Sequence, residues 1–305
     1  MMLSEKFKGY LCGCISSASY GLIPLFAIPM MRKGMDIDSI LSYRFICASA
    51  VMCLMLLFRG VSLKITKREL LTLAVLGVVF SGSSQFLFLG YNYMSVGVAS
   101  TILFTYPAFV ALIMFAVFKE RIGWITQLSI LLAFVGVALL YMGDDITGKI
   151  SFLGIIIILL SALSYALYMV IVNKSCVKNM DGTKLTCYAM LFSAVVFTLK
   201  AFITDGHIEQ FPDMRCVADL VCLAIVPTAV SGITMAYGVK YVGSTATAVL
   251  GAMEPVTAVL VGIIAFSEPF TLNLAAGIAL IIGAVTLIVL SDNILKWFGK
   301  QRKQQ

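Results

Sequence analysis

Charge is what this chain most lacks. Only 12% of its 305 residues are charged, while 61% are hydrophobic. A soluble domain carries about a quarter charged residues, so a soluble enzyme or binding module is excluded. The longest polar connections, near residues 59–68, 174–183 and 205–216, are too short to hold one. Histidine is reduced to His207, and there is neither an HExxH pattern nor a pair of aspartates inside an apolar stretch. Metal-dependent hydrolysis and aspartyl proteolysis therefore lack their parts, and no cofactor or metal is expected. None of the eight cysteines forms a CxxC pair, and most lie in apolar stretches. They read as small buried hydrophobes, not as a disulfide framework or metal site. The net charge of +7 does not point to nucleic acid, because the basic residues sit in short loops on one side of a very apolar chain.

What is present is a succession of apolar runs long enough to cross a bilayer. Ten spans are predicted, at 9–31, 38–58, 69–89, 97–118, 123–142, 151–173, 184–204, 217–237, 244–266 and 270–291. In lipid each must be a helix, since backbone groups have to satisfy one another. Lys6 and Lys8 precede a first run that continues to about Met31, too long for the apolar core of a cleavable signal, so it reads as a retained span. Lys and Arg concentrate in alternate loops: Arg59, Lys64, Lys67 and Arg68; Lys119 and Arg121; Lys174, Lys178 and Lys184; Lys240; and the tail residues Lys296, Lys300, Arg302 and Lys303. The other side holds Arg32, Lys33, Lys149, Lys200 and Arg215. The excess marks the first side, and both termini, as cytoplasmic. Asp144-Asp145 and the 205–215 loop read as solvated outer loops.

The chain also repeats itself. Tyr91-Asn92-Tyr93-Met94-Ser95-Val96-Gly97 returns as Tyr237-Gly238-Val239-Lys240-Tyr241-Val242-Gly243. Tyr106-Pro107 returns as Glu254-Pro255, and Phe118-Lys119-Glu120 as Phe266-Ser267-Glu268. Gly9, Ser16, Ser19, Tyr20 and Tyr43 match Gly154, Ser161, Ser164, Tyr165 and Tyr188 at 145 residues. Each half, 1–148 and 149–305, contains five spans, so equivalent spans enter the membrane from opposite sides. The expected fold is therefore all-α: ten transmembrane helices as an inverted repeat about an axis in the membrane plane.

These residues carry a resemblance. The cassette Gly251-Ala252-Met253-Glu254-Pro255-Val256-Thr257-Ala258-Val259-Leu260 with Phe266-Ser267-Glu268, its counterpart from Tyr106-Pro107-Ala108-Phe109 to Lys119-Glu120-Arg121-Ile122, and Ser42-Tyr43-Arg44-Phe45 in the second span resemble the EamA family of the drug/metabolite transporter superfamily. The resemblance covers essentially the whole chain. It implies a carrier of the cytoplasmic (inner) membrane, commonly an exporter of amino acids or related small metabolites, with a cavity between the halves lined mostly by spans 1, 3, 4, 6, 8 and 9. Small multidrug transporters, distant relatives, use a glutamate in their first helix. Spans 1 and 6 here contain no acid, which leaves that carboxylate-swap mechanism without its carboxylate.

Charge within hydrocarbon costs about 2.5–3.5 kcal/mol on insertion scales, so charged residues there are candidates for function. Glu254 is placed about 15 Å into span 9, near the middle of a core roughly 30 Å thick. It could bind a substrate ammonium or carry a coupling proton; the structural alternative is that it bonds backbone groups freed where Pro255 kinks the helix. Arg44, about 9 Å below the outer edge of span 2, could bind a substrate carboxylate. The reading favoured for it is structural, by snorkelling or bonding carbonyls. Both break the repeat: their equivalents are Tyr106 and Ala189. Used together they would suit a zwitterionic amino acid. Tyr20, Gln85, Tyr165, Ser231, Tyr237 and Tyr106 are the neutral polar candidates, although small polar residues also serve helix packing. Pro24, Pro107, Pro227 and Pro255 are candidate helix breaks, where carriers of this type bind and hinge. Glu120 and Glu268 read as structural caps, and the stripe Ala275, Ala279 and Gly283 as an internal helix contact first and a homodimer interface second. The function expected is secondary transport of a small molecule across a lipid bilayer by alternating access, with proton coupling open. A membrane sensor or assembly factor, or a carrier of nucleotide or phosphorylated metabolites, are the alternatives.

Overall fold

The structure, a computed structural model, describes residues 2–120, 123–142, 151–204 and 206–301. Arg121, Ile122, Asp144, Asp145, Lys149, Arg302 and Lys303, which entered the topology argument, lie outside the described residues. Among those described, ten helices are long and apolar enough to cross a membrane and no strand occurs. Helices α1 (Met2–Tyr20) and α2 (Ile23–Arg32) make the first span, followed by α3 (Ile37–Phe58) and α4 (Lys67–Gly90). The fourth span is broken into α5 (Val96–Leu103) and α6 (Tyr106–Phe118). Then come α7 (Trp124–Met142), α8 (Phe152–Lys174) and α9 (Gly182–Thr204). The eighth span joins α10 (Met214–Ala224) through a π-turn at Ile225–Val230 to α11 (Ser231–Leu250). Helices α12 (Met253–Phe266) and α13 (Leu272–Gln301) complete the chain.

Local sequence explains most of these boundaries. Asp36, Thr66, Ser95 and Asp213 cap α3, α4, α5 and α10 by accepting backbone N–H bonds, and Thr66 with Glu69 forms a full capping box. Three of the four candidate prolines sit at helix starts, while Pro227 lies inside the π-turn: Pro24 and Pro107 lie in the first two positions of α2 and α6, and Pro255 is the third residue of α12. There a missing N–H is harmless, because the first turn has no intrahelical acceptor. The breaks therefore fall just before the prolines, at Gly21–Leu22, Phe104–Thr105 and Gly251–Ala252, not at them. The eighth span runs Met214–Gly243, longer than the 217–237 expected. Within α11, Gly243 has a φ of 85° and a ψ of 164°. The α-helix is broken there and resumes beyond it, through a conformation that glycine adopts without a Cβ penalty.

Outward faces carry large apolar side chains such as Phe58, Leu71, Leu131, Ile203 and Ile264, all exposed; in lipid such exposure is no penalty. Inside, Phe45 stacks on Phe197 at 5.8 Å and meets Phe80 edge-on at 5.7 Å. The most extensive helix contacts are α1 with α11, α7 with α13, α3 with α9 and α4 with α8, each joining the first half of the chain to the second. Several contacts are made twice. Ser16 Oγ donates to Ser231 O at 2.8 Å, and its counterpart Ser161 Oγ donates to Ser83 O at 2.6 Å. Tyr43 donates to Glu209 O at 3.1 Å, and Tyr188 to Leu63 O at 2.5 Å. A Cβ at Gly9 would lie 2.7 Å from the Tyr241 Cβ, and one at Gly154 would lie 2.5 Å from the Tyr93 Cβ, so both glycines permit the same close approach of helices. These contacts set Tyr93 against Tyr241, 148 residues on, which corrects by two residues the register in which Tyr91–Gly97 returns as Tyr237–Gly243.

The stripe Ala275, Ala279 and Gly283 corrects the expectation of an internal contact. Ala279 and Gly283 face outward, and no atom lies within 4 Å of a Cβ placed at Gly283. The contact between α7 and α13 is built instead on Gly136 and Gly277, whose added Cβ atoms would meet Ile281 and Leu140 at 2.6 Å. One row further round the helix, the smaller side chain is what lets the backbones approach.

Candidate substrate cavity

A central cavity of about 330 Å³ opens beside the exposed Lys178, in the loop joining α8 to α9, and runs inward to Glu254 and Tyr106. That volume suits a metabolite-sized ligand. Tyr20, Arg44, Tyr106, Tyr165, Ser231, Pro227 and Glu254 all line it. Gln85 and Tyr237 stand apart from it, and so do Pro24, Pro107 and Pro255 themselves. Tyr237 instead stacks on Tyr241, ring centroids 6.2 Å apart.

Arg44 is 1% exposed. Its Nε donates to Thr228 Oγ1 at 3.0 Å, and its guanidinium lies 5.2 Å from the Phe45 ring and 5.8 Å from that of Phe88, within cation–π range. The Thr228 hydroxyl in turn donates to Leu223 O, five residues back, at 2.8 Å. The π-turn thus widens the helix by the residue that presents Thr228 to the arginine; such turns recur at functional sites. The side chain of Tyr20 meets Arg44 and lies within electrostatic range of Glu254, so it is near both charges. Arg44 and Glu254 form no ion pair with each other.

Glu254 lies in the first turn of α12, where the helix dipole favours an acid. Its backbone N–H bonds to Gly251 O at 3.0 Å. Among the described residues no hydrogen bond or ion pair joins its carboxylate to another side chain or to a backbone group, those freed at the break included. A Cβ on Gly21, at the break of the first span, would lie 2.5 Å from the Glu254 carbonyl oxygen. Two helix breaks therefore touch at this point, and only a glycine lets them do so. The cavity also has an aromatic wall: Tyr106 meets Tyr165 edge-on at 4.7 Å, Tyr165 stacks on Tyr168 at 5.9 Å, and Phe80 lies 5.3 Å from Tyr168. Met169, Met180, Met190 and Met235 line the way out; thioethers adapt to varied apolar shapes.

The far end is closed. Lys200 pairs with the buried Asp38 at 2.8 Å. With its amide set to satisfy both neighbours, Gln85 donates to Asp38 Oδ1 at 2.7 Å and accepts from Lys200 at 3.2 Å. Glu209 Oε2 accepts from the Asp36 N–H at 2.6 Å, drawing the α9–α10 connection over the α2–α3 turn. Lys33 pairs with Asp213 in the same layer. The Lys33 ammonium, with the Cys216 N–H, holds the Asp213 carboxyl down to about 2.

Three features of the site escape sequence reasoning. Asp38 reads from the sequence as the edge of a span, although Lys200 on span 7 is a lone basic residue that could signal a partner. Thr228 reads, with Ser231, Thr234 and Tyr237, as one of the hydroxyls along a pathway, and what the sequence leaves out is its bond to Arg44. Phe80 and the methionines give no signal, because apolar residues on an apolar helix look alike whether they face a cavity or lipid.

Ten membrane-spanning helices around a metabolite-sized, largely apolar cavity that holds a buried arginine and glutamate and opens at one end define a multi-pass membrane transporter. The comparisons with known proteins agree. The EamA-like transporter family matches residues 7–142 and 152–290, and the chain belongs to that family. It is similar to an uncharacterized transporter of Clostridium kluyveri, 23% identical with 90% of this chain and 91% of that one covered. It is similar also to the uncharacterized transporter YcxC of Bacillus subtilis, 25% identical with 93% and 94% covered. A crystal structure 18% identical in sequence superposes with a TM-score of 0.70 over 94% of this chain and 98% of that one, a likeness of fold. The protein is thus a multi-pass membrane protein, in keeping with the cytoplasmic membrane.

Proposed function

We propose that the protein is a secondary active carrier that exports an amino acid or a related small metabolite across the cytoplasmic membrane by alternating access, with Glu254 as the proton-coupling group. The observation that carries this reading is the presence, in one cavity, of a buried guanidinium and an unpaired carboxylate with Tyr20 near both. Arg44 suits a carboxylate, Glu254 an ammonium, and the aromatic wall an apolar side chain. A phosphate-bearing substrate would call for several cations deep in the cavity, and Arg44 is the cation there.

On this reading the halves 1–148 and 149–305 are inverted repeats, and the doubled Ser–Ser, Tyr–loop and Gly–Tyr contacts support it. Both termini are cytoplasmic by the loop charges, so the cavity opens to the cytoplasm. A homodimer would close over the outward stripe of Ala279 and Gly283. The test is a profile of metabolites released by cells overexpressing the protein, with and without a pH gradient, against cells carrying Glu254→Gln at equal membrane levels. Export is expected from the native chain, driven by the gradient, with a loss of about tenfold or more in the variant. No released metabolite in any condition, or undiminished release by the variant, would sink the proposal.

A further inference from the structure

The most regular part of the repeat lies outside the cavity. At the end of α6, Lys119 adopts a left-handed conformation, φ 55°, and at the end of α12 Ser267 does the same, φ 53°. A glutamate follows each. The Glu120 N–H returns to Met114 O at 3.2 Å and the Glu268 N–H to Gly262 O at 3.0 Å. Every one of these positions is related to its partner by 148 residues. The two carboxylates therefore leave equivalent points of the two halves, but they meet different things.

Glu268 Oε1 accepts the N–H of Val96 at 2.8 Å. Val96 is the first residue of α5, so its N–H is one of the donors a helix start leaves without an intrahelical acceptor. This contact ties the second half to the first at the closed end of the molecule, where Tyr91, Arg32 and Glu268 line a shallow recess. The corresponding donor in the second half, 148 residues on, is the N–H of Ser244. It follows Gly243, whose extended ψ of 164° matches the 152° of the cap residue Ser95. By the repeat, Glu120 should reach that donor. Instead Glu120 Oε1 pairs with Lys174 at 2.8 Å, at the end where the cavity is open.

The same carboxylate-to-helix contact is thus made at the closed end and replaced at the open end. We propose that Glu268 and Glu120 form a reciprocal bolt: Glu268 on Val96 holds one end of the cavity shut in the form described, and in the opposite form Glu120 leaves Lys174 for the Ser244 N–H while Glu268 releases Val96. The proposal rests on the alternating-access reading and assigns these two glutamates the gating of that same cavity. Lys174 is the parking place for the bolt not in use. Neither glutamate touches the cavity, so the bolt biases which end is open without altering what is bound.

The test is hydrogen exchange, read by mass spectrometry, on the full chain in lipid nanodiscs without any substrate. Four variants make four predictions at the segment Val96–Leu103. Glu268→Ala should speed its exchange about tenfold or more, the scale for a lost bond to a charged acceptor, and Glu268→Gln should give an intermediate value. Lys174→Gln should speed it as well, although Lys174 lies at the other end of the molecule, because Glu120 is then free to favour the opposite form. Glu120→Ala should slow it by removing the competing contact. Native-like exchange in Glu268→Ala would overturn the bolt. So would faster exchange in Glu268→Ala with no response to Glu120→Ala or Lys174→Gln, since that is the behaviour of a static cap. Should Glu268→Ala fail to fold, the opposite shifts expected of the other two variants still decide. No substrate enters these measurements, so a failed export assay and a failed bolt are separate results.

Discussion

Replacing Thr228 by valine removes one hydroxyl and almost no volume, which makes it a sharp probe of the arginine in the membrane. The hydroxyl accepts from Arg44 Nε at 3.0 Å and donates to Leu223 O at 2.8 Å. Neutral hydrogen bonds between membrane helices average only about 0.6 kcal/mol in double-mutant cycles. The partner here is a charge that is 1% exposed, and the relevant scale is a hydrogen bond to a charged group, about 1.5–3 kcal/mol. The valine variant should therefore lose about 2 kcal/mol, seen as a drop of several degrees in the thermal unfolding midpoint in nanodiscs followed by tryptophan fluorescence. Serine at the same position keeps the hydroxyl and should recover most of the loss. A double-mutant cycle with Arg44→Gln should show coupling, because without the charge the hydroxyl has less to hold. The reasoning fails if valine is as stable as threonine, or if serine is no better than valine.

Two further outcomes follow from groups at the two ends. Cys176 is the exposed member of the eight cysteines and lies in the loop at the cavity mouth; a membrane-impermeant maleimide should label it in inside-out vesicles and not in intact cells, with Cys176→Ser as the control, and labelling in intact cells would invert the orientation. The Asp213 carboxyl is held down to about 2 by Lys33 and the Cys216 N–H. Its folded value lies below the ordinary one near 3.9, so its contribution is complete at neutral pH, shrinks below about pH 4 and is gone once the pH falls through about 2. Stability against pH should thus differ between the native chain and Asp213→Asn at pH 7 and converge near pH 2; a difference that persists in acid would assign the effect to something other than this charge.

Much of the architecture is legible in the sequence because lipid leaves few choices. Apolar length marks the ten spans, and the repeated Tyr–Gly and Glu-Pro or Tyr-Pro segments locate the broken helices. The cavity is legible where a residue is too polar for hydrocarbon: Arg44, Glu254, Tyr20, Tyr106 and Tyr165 stand out for that reason and line it together. Gln85 meets the same criterion and lies elsewhere, since burying a large amide calls only for partners, and Asp38 with Lys200 supply them. Tyr237 misleads because the eighth span continues to Gly243, turning that ring toward Tyr241. The direction of small or apolar side chains leaves no trace in the sequence. Ala279 and Gly277 are two residues apart on α13, yet one faces outward and the other meets α7.

The π-turn in the eighth span has a history written into the numbering. The caps that open α4 and α10, Thr66 and Asp213, stand 147 residues apart. Beyond the turn, equivalents such as Ser83 and Ser231 stand 148 apart, and the offset holds to Lys119 and Ser267. Between these two points the second half carries one residue more than the first, and the π-turn is where it is accommodated. An added residue in a helix ordinarily rotates everything after it by about 100°, given 3.6 residues per turn; a π-turn confines that rotation locally. The extra residue sits where Thr228 grips an arginine that has no counterpart in the other copy. The added residue and the anchor of the buried arginine thus share one turn of helix, and the helix beyond it keeps its register.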